Sequence, residues 1–179
     1  MPIRRGRRIA SARIRASLER LLEASTLCAI ATVSGSRAHV NTAYFAWSPS
    51  FRVVWLSDAD ARHSRNLAAN PSAAVAVFDS NQRWGHPDRG VQLFGRAREL
   101  GGAAQERAAE LYTTRFPAYR EDALGAYRWY ELRPRAAKVF DEPELGAGVF
   151  VTARIDVEGS VTWERTDVYS GARTLEPYA

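Results

Sequence analysis

A short stretch in the first half of the chain concentrates side chains that bind anions. Between Trp55 and Pro71 the sequence holds two hydroxyls, two guanidiniums and one imidazole, those of Ser57, Ser64, Arg62, Arg65 and His63. The residues before them alternate as a strand, and those after them form a helix that Asn70-Pro71 ends. A helix N-terminus offers unpaired N–H groups, and arginine adds charged donors. The stretch predicts a phosphate-binding loop, and the alternative is a solvated turn before a surface helix.

A second group of polar residues lies on a predicted strand over residues 38–46. Alternation places His39 and Asn41 on one face, and Val40 and Thr42 on the other. A half-buried strand seldom carries so many polar groups unless they bind something, although a strand wetted at a barrel rim is the alternative. We expect this strand to pair with the strand that leads to Ser57, because only a short turn joins them. The resulting site suits a phosphorylated, flat, hydrogen-bonding ligand better than a metal ion or a peptide.

Length and composition predict one domain over residues 1–179, with residues 1–9 as a basic N-terminal arm. No apolar run reaches the length that a membrane helix needs, so we expect no membrane segment. The one cysteine, Cys28, lies in an apolar run and has no intrachain partner. This pattern favours a reducing compartment, and we expect the cytoplasm.

The excess of positive charge raises the question of nucleic-acid binding. The formal net charge is +5, and six arginines precede residue 16: Arg4, Arg5, Arg7, Arg8, Arg13 and Arg15. Lys138 is the one lysine, so the arginine content also reflects codon usage. We interpret the arm as frayed and solvated, and a nucleic-acid interface is the less favoured alternative.

Hydrophobic periodicity predicts the elements that position these groups. An amphipathic helix spans residues 11–23, and the continuous apolar run 27–33 predicts a strand buried on both faces. Short turns join that strand to the strands at 38–46 and 51–56, which predicts an antiparallel meander. Further strands are predicted at residues 73–78, 89–100, 127–132, 138–140, 149–155 and 161–165.

The second half of the chain contains several interruptions. A helix follows Gly101-Gly102, residues 118–125 form a short second helical piece, and residues 141–148 form an acidic loop. Pro134 limits its strand to an edge or a bend. About seven antiparallel strands with three or four helices predict a mainly β (α+β) fold, a barrel whose closure removes exposed edges and whose ends the helices cover.

The loop and the order of elements resemble the pyridoxamine 5′-phosphate oxidase-like, FMN-binding split-barrel superfamily. The loop of that family runs from a strand through Thr or Ser to Ser-Arg-Lys, a helix and Asn-Pro. Here Ser57, Ala61-Arg62-His63 and Asn70-Pro71 occupy those places, and the resemblance covers roughly residues 10–140. It implies an antiparallel split β-barrel with flanking helices in which Arg62 and Ser57 hold a phosphate. The usual Lys is replaced by His63, only partly protonated at neutral pH, and the usual Ser by Ala61, with Ser64 nearby as a substitute.

The resemblance also implies the rest of a flavin site. The strand bordering the isoalloxazine falls on His39, Val40, Asn41 and Thr42, with Asn41 and Thr42 bonding the ring edge. The strand Val91–Ala97 resembles the strand by which a partner subunit reaches the same flavin. Gln92, and with it Gln82 and Trp84, would complete the site across a homodimer.

The function implied is an FMN-dependent oxidoreductase that transfers hydride between the flavin and an unidentified small molecule. The alternative is a non-catalytic protein of the same fold that binds flavin, the deazaflavin F420 or haem. The tail Trp163–Tyr169 lacks the histidine with which pyridoxamine phosphate oxidase grips its substrate, so vitamin B6 oxidation is disfavoured.

Other chemistry has little support in the residue pattern. The three histidines are widely spaced and have no cysteine partner, so no metal site is expected. Asp58 and Asp60 are interpreted as caps of the following helix rather than as an acid–base pair. The rings of Trp55, Trp129 and Trp163 are interpreted as core or interface aromatics.

Overall fold

The computed structural model describes residues 3–120 and 127–169. Within these ranges the chain forms ten strands and four helices. Their bounds in chain order are β1 Ile3–Arg5, α1 Ser11–Ala24, β2 Leu27–Ser34, β3 Arg37–Tyr44, β4 Ala46–Trp47, β5 Val53–Asp58, α2 Arg62–Ala69, β6 Ser72–Phe78, β7 Arg89–Glu99, α3 Ala103–Arg115, β8 Tyr127–Asp141, α4 Glu142–Leu145, β9 Val149–Ile155 and β10 Val161–Tyr169. No helix in the described part of the chain is both long and apolar enough to cross a membrane.

All the strand pairs are antiparallel, in the order β1-β10-β9-β8-β7-β6-β2-β3. The long strand β8 is central, because its first half pairs with both β5 and β7 and its second half with β7 and β9. The sheet curls around α1 but does not close. The predicted split barrel with flanking helices is confirmed, whereas the expectation of a closed barrel is wrong.

The core lies between the curled sheet and α1. Ile14, Leu18 and Leu22 are fully buried on one face of that helix, as its periodicity predicts. A second apolar cluster lies under α3, where Tyr112 packs edge-on against Trp129. Trp55 and Trp129 are therefore core residues, as predicted, and α3 fixes the outer side of β5 and β8.

Three predicted elements differ in the structure. The meander is incomplete, because β5 pairs with β8 and with the two-residue β4 rather than with β3. Pro134 lies inside central β8, next to a bulge at which Arg135 is the extra residue, so of the predicted edge or bend it marks a local bend and not an edge. The N-terminal arm is not frayed at Ile3–Arg5, because β1 pairs with the end of β10 and Arg5 forms an ion pair with Asp167.

Two smaller regions also bear on the predicted elements. The predicted acidic loop contains the one-turn helix α4, and β10 extends past the predicted end at residue 165 to Tyr169. The helical piece predicted at 118–125 lies mostly outside the described residues, because 121–126 are not among them.

The described residues leave one face of the sheet uncovered. Register aligns small and apolar side chains across five strands, from β3 through β2, β6 and β7 to β8: Val40, Ala31, Ala74, Phe94 and Ala136. We call these five residues, together with the adjacent row that contains Thr42 and Gln92, the open sheet face. Val40 is 63% exposed and Phe94 42% exposed. The prediction that β2 is buried on both faces is therefore wrong for the single chain, because its burial alternates.

Candidate functional site

The predicted phosphate loop joins the end of β5 to the start of α2. Ser57 and His63 are both buried, and their Oγ and Nε2 atoms lie 2.6 Å apart in a hydrogen bond. The turn is closed by Asp58, whose carboxylate accepts a bond from the Asp60 N–H at 2.8 Å. The Ser64 hydroxyl donates to the Asp58 carbonyl at 2.7 Å, so its proton is already used to hold the turn.

Within the part of the chain that the structure describes, no side chain caps the N-terminus of α2. The first helical bond runs from the Arg65 N–H to the Ala61 carbonyl, so the N–H groups of Arg62, His63 and Ser64 precede it and have no acceptor within the helix. The expectation that Asp58 or Asp60 caps this helix is wrong, because the Asp58 carboxylate bonds inside its own turn. Unpaired N–H groups and the positive end of the helix dipole therefore face the loop.

Arg62 adds a full positive charge to this helix end. Its side chain is exposed, and in the described part of the chain it has no hydrogen-bond or ion-pair partner. Arg65, one turn along, differs because its guanidinium donates to the Asp60 carbonyl. The free guanidinium of Arg62 is therefore available to an anion bound at the helix N-terminus.

His63 is neutral at neutral pH in this environment. Burial, and secondly the nearby His39, lower the pKa of its imidazole below the ordinary value of 6.5. The His39 ring lies parallel to the His63 ring, with centroids 6.4 Å apart and planes 4° from parallel. The positive charge of the site therefore comes from Arg62 and the α2 dipole, while His63 supplies a hydrogen-bonding nitrogen.

A buried contact that sequence reasoning missed fixes the position of α2. The Asn66 amide nitrogen donates to the Thr32 hydroxyl on β2 at 3.0 Å, and both side chains are buried. The two residues are 34 positions apart, so no local pattern could have paired them. A polar Thr32 within an apolar strand was the one available signal.

The structure brings together only part of the predicted flavin site. His39 lies beside His63, and Asn41 shares its face of β3, whereas Val40 and Thr42 lie on the open sheet face. Gln92 also lies on that face, in the same row as Thr42 but separated from it by β2 and β6.

The loop after β6 is held by hydrogen bonds between its own ends. The Gln82 amide donates to the Asp79 carbonyl at 2.9 Å, and its oxygen accepts from the Arg89 N–H at 2.6 Å. Trp84 is 71% exposed. Roles for Gln82, Trp84 and Gln92 in a site shared by two subunits stay predictions.

Solved structures share this fold at low sequence identity. The protein Atu2129 of Agrobacterium tumefaciens superposes with a TM-score of 0.58 and 20% identity, over 66% of this chain and 52% of that one. An FAD-binding protein of Mesorhizobium loti gives 0.59 and 17%, over 76% and 94%. HutZ, the haem storage protein of Vibrio cholerae, gives 0.54 and 17%, over 66% and 88%. This chain spans about half the length of the Agrobacterium protein, and identities of this size show the fold alone.

A sequence comparison identifies the family. No curated protein matches the chain. The family model described as pyridoxamine 5′-phosphate oxidase matches residues 14–141, which include β5, the loop and α2. The chain belongs to the pyridoxamine 5′-phosphate oxidase family.

Proposed function

We propose that this protein is an FMN-dependent oxidoreductase acting on a small molecule, with the flavin phosphate held at the N-terminus of α2. The observation that carries the proposal is that unpaired N–H groups of α2 and the free guanidinium of Arg62 occur together at the same helix end. A phosphate needs several donors and at least one positive charge in the same place, and this helix end supplies both.

The donor set fits FMN in its details. Arg62 and the N–H groups of the first turn would hold the phosphate, next to the buried, hydrogen-bonded Ser57–His63 pair of the same loop. Asn41, on the inward face of β3 with His39, would hydrogen-bond the polar edge of the ring system. Bound FMN supplies hydride transfer, and the protein supplies binding, orientation and exclusion of water.

The open sheet face supports a homodimer as the working form. One of its rows consists of small and apolar side chains, and Val40 and Phe94 are exposed there. Large exposed apolar surfaces mark sites of association. A second copy packed on this face would bury the outer side of β2, whose sequence is apolar on both faces, and would bring partner residues equivalent to Thr42 and Gln92 into the interface. The cytoplasm is the compartment we propose, because Cys28 is a buried free thiol.

A cofactor-binding protein without turnover is the second candidate. The fold is shared with an FAD-binding protein and with the haem storage protein HutZ, and the deazaflavin F420 carries a phosphate that the same loop would hold. With His63 in place of lysine, the site carries less positive charge and would also suit a cofactor whose phosphate carries less negative charge.

The absorption spectrum of the protein purified from cells tests the proposal first. We expect the yellow absorption and fluorescence of oxidised FMN, or its appearance on reconstitution with FMN, and bleaching on addition of NADPH or NADH. The narrow, intense absorption band of haem, or the spectrum of F420, would instead identify that molecule as the cofactor. Bound FMN that is never reduced by either nicotinamide donor would favour the non-catalytic candidate.

A further inference from the structure

A cavity beside the C-terminal end of α2 is lined by several arginine side chains. It encloses about 630 Å³, and Pro71 forms part of its wall. Five arginines line it, from the loop before β5 and from strands β7 and β8: Arg52, Arg96, Arg98, Arg133 and Arg135. Asp156 is the one carboxylate among the lining residues. Its volume is in the range of small-molecule sites.

Among the described residues, three of the five arginines have no ion-pair partner. The buried carboxylate of Glu131 is shared, because Arg133 Nε lies 2.5 Å from one oxygen and Arg52 Nη1 lies 3.7 Å from the other. The Asp156 carboxylate accepts bonds from the N–H groups of its own turn, at 3.0 Å and 2.8 Å.

Three guanidiniums remain after these pairs are formed. Across residues 3–120 and 127–169, Arg96, Arg98 and Arg135 have no hydrogen-bond or ion-pair partner. Each is exposed, so each is free to turn toward a ligand in the cavity.

The strand register brings the arginines close together although their positive charges repel one another. Arg96 on β7 lies directly opposite Arg133 on β8, and Arg52 immediately precedes Val53, which pairs with Leu132. Like charges directly opposite in an antiparallel pair are destabilising. Arg135 is the extra residue of a bulge in β8 and has no partner residue in β7, which adds a third charge to the group. A bound anion would relieve this repulsion, because guanidiniums bind phosphate and carboxylate in the same fork geometry.

The cavity also has apolar walls. Pro71 and Pro134 lie among the lining residues, as do Ile155 and Val157 of the β9–β10 turn. Val157 is 81% exposed, so its apolar surface is open to a ligand in the cavity. The lining therefore suits a ligand with an apolar part next to its charged part.

We propose that this cavity binds a small molecule that combines two or more negative charges, as phosphate or carboxylate groups, with an apolar part. It is a site separate from the phosphate loop, because α2 lies between them and its eight residues span roughly 12 Å. The inference does not depend on flavin binding.

Calorimetric titration of the full chain with four probes tests the chemistry. Tripolyphosphate and citrate carry the charge as phosphate and as carboxylate, ATP adds a flat ring to a triphosphate, and adenosine is the uncharged control. We expect saturable binding of at least one anion, weakening as salt is added, and none of adenosine. Whether tripolyphosphate or citrate binds more tightly identifies whether the cavity prefers phosphate or carboxylate groups. Absence of saturable binding by all three anions would overturn the proposal.

A double variant places the binding in the cavity. Arg96→Gln with Arg135→Gln removes two unpaired guanidiniums and leaves the Glu131 pairs intact, so the unfolding midpoint should stay near the wild-type value. We expect affinity to fall at least about tenfold for each arginine removed. The matched control is Arg37→Gln with Arg83→Gln, because both side chains are exposed and lie outside the cavity.

Four results would contradict the cavity assignment. An equal loss in the control pair would mean non-specific charge binding, and a loss in Arg62→Ala would assign the anion to the phosphate loop. Competition by FMN would make the cavity part of the cofactor site. Tighter binding of a single-stranded oligonucleotide, abolished by the double variant, would identify a nucleic-acid surface instead.

Discussion

The replacement of lysine by His63 changes how this site carries its charge. A buried lysine would add a permanent cation under the phosphate, whereas His63 is neutral near pH 7 because burial lowers the pKa of its imidazole. The hydrogen bond to Ser57 keeps the ring in place. Arg62 is then the one full positive charge that the described residues of the loop leave unpaired.

The state of His63 predicts how stability depends on pH. Unfolded His63 titrates near its ordinary value of 6.5, and folded His63 titrates lower. As pH falls from about 8 through 6.5, the unfolded state binds the proton first, so the free energy of unfolding should decrease, and the decrease should level off below the folded pKa.

Urea unfolding at a series of pH values checks this expectation. His63→Gln keeps a hydrogen-bonding group near Ser57 but cannot titrate, so the variant should show a shallower pH dependence than the wild type. His86→Gln, an exposed histidine elsewhere, is the control and should keep the wild-type slope. Equal slopes for His63→Gln and the wild type would mean that burial does not perturb the His63 pKa.

For individual residues, the sequence predicted the groups that lie close together in the chain. Ser57, Arg62 and His63 were found because the strand end and the helix start are only a few residues apart. The roles of Ser64 and Asp58 were not predictable, since their bonds depend on how the turn folds back. The Asn66–Thr32 bond was missed because it joins residues far apart in the chain.

Among the elements, β8 is the one that the sequence pattern misrepresented. Pro134 suggested an edge or a bend because proline cannot donate to a ladder, and the strand was predicted in two pieces on either side of it. The structure keeps it in a central strand by placing it opposite Gly95, next to a bulge in β8 itself. Bulges tolerate the missing donor, and the same bulge leaves Arg135 without a partner in β7. Short links correctly predicted adjacent β2 and β3, but the pairing of β5 with β8 joins segments about seventy residues apart and has no local signal.

Gly95→Ala tests how tightly β7 and β8 approach at this bulge. A Cβ at Gly95 would overlap the Arg133 carbonyl, which is backbone and cannot turn away. We expect a loss of more than about 2 kcal/mol in the free energy of unfolding. Gly101→Ala is the control, because a Cβ there meets nothing within 4 Å, and it should change stability little. A Gly95→Ala protein as stable as the wild type would show that the bulge is loose.

For the whole molecule, the central feature is a barrel that curls without closing. Closure was expected because it removes exposed edges, yet the described chain leaves both an end of the sheet and an apolar face uncovered. Sequence reasoning identified β2 as apolar on both faces but could not say what covers the second face. A partner subunit would resolve that difference.

Ala74→Glu tests the proposed homodimer. Ala74 lies in the middle row of the open sheet face, between Ala31 and Phe94, so a carboxylate there would be buried without a partner in a dimer. We expect light scattering to show a dimer for the wild type and a monomer for the variant, with weaker FMN binding. Ala103→Glu, on the exposed start of α3, should remain dimeric. A wild type that is monomeric, or an Ala74→Glu variant that stays dimeric, would exclude this face as the interface.

The most direct measurement of the whole account compares the affinities of FMN and riboflavin, which differ only by the phosphate. For the wild type we predict FMN binding at least about a hundredfold tighter than riboflavin binding. Arg62→Ala should lose at least about tenfold of that preference and leave riboflavin affinity unchanged, whereas Arg65→Ala should keep the preference because its guanidinium bonds the Asp60 carbonyl. Equal affinities for the two flavins in the wild type, or an Arg62→Ala variant that weakens both alike, would contradict the claim that α2 and Arg62 hold a flavin phosphate.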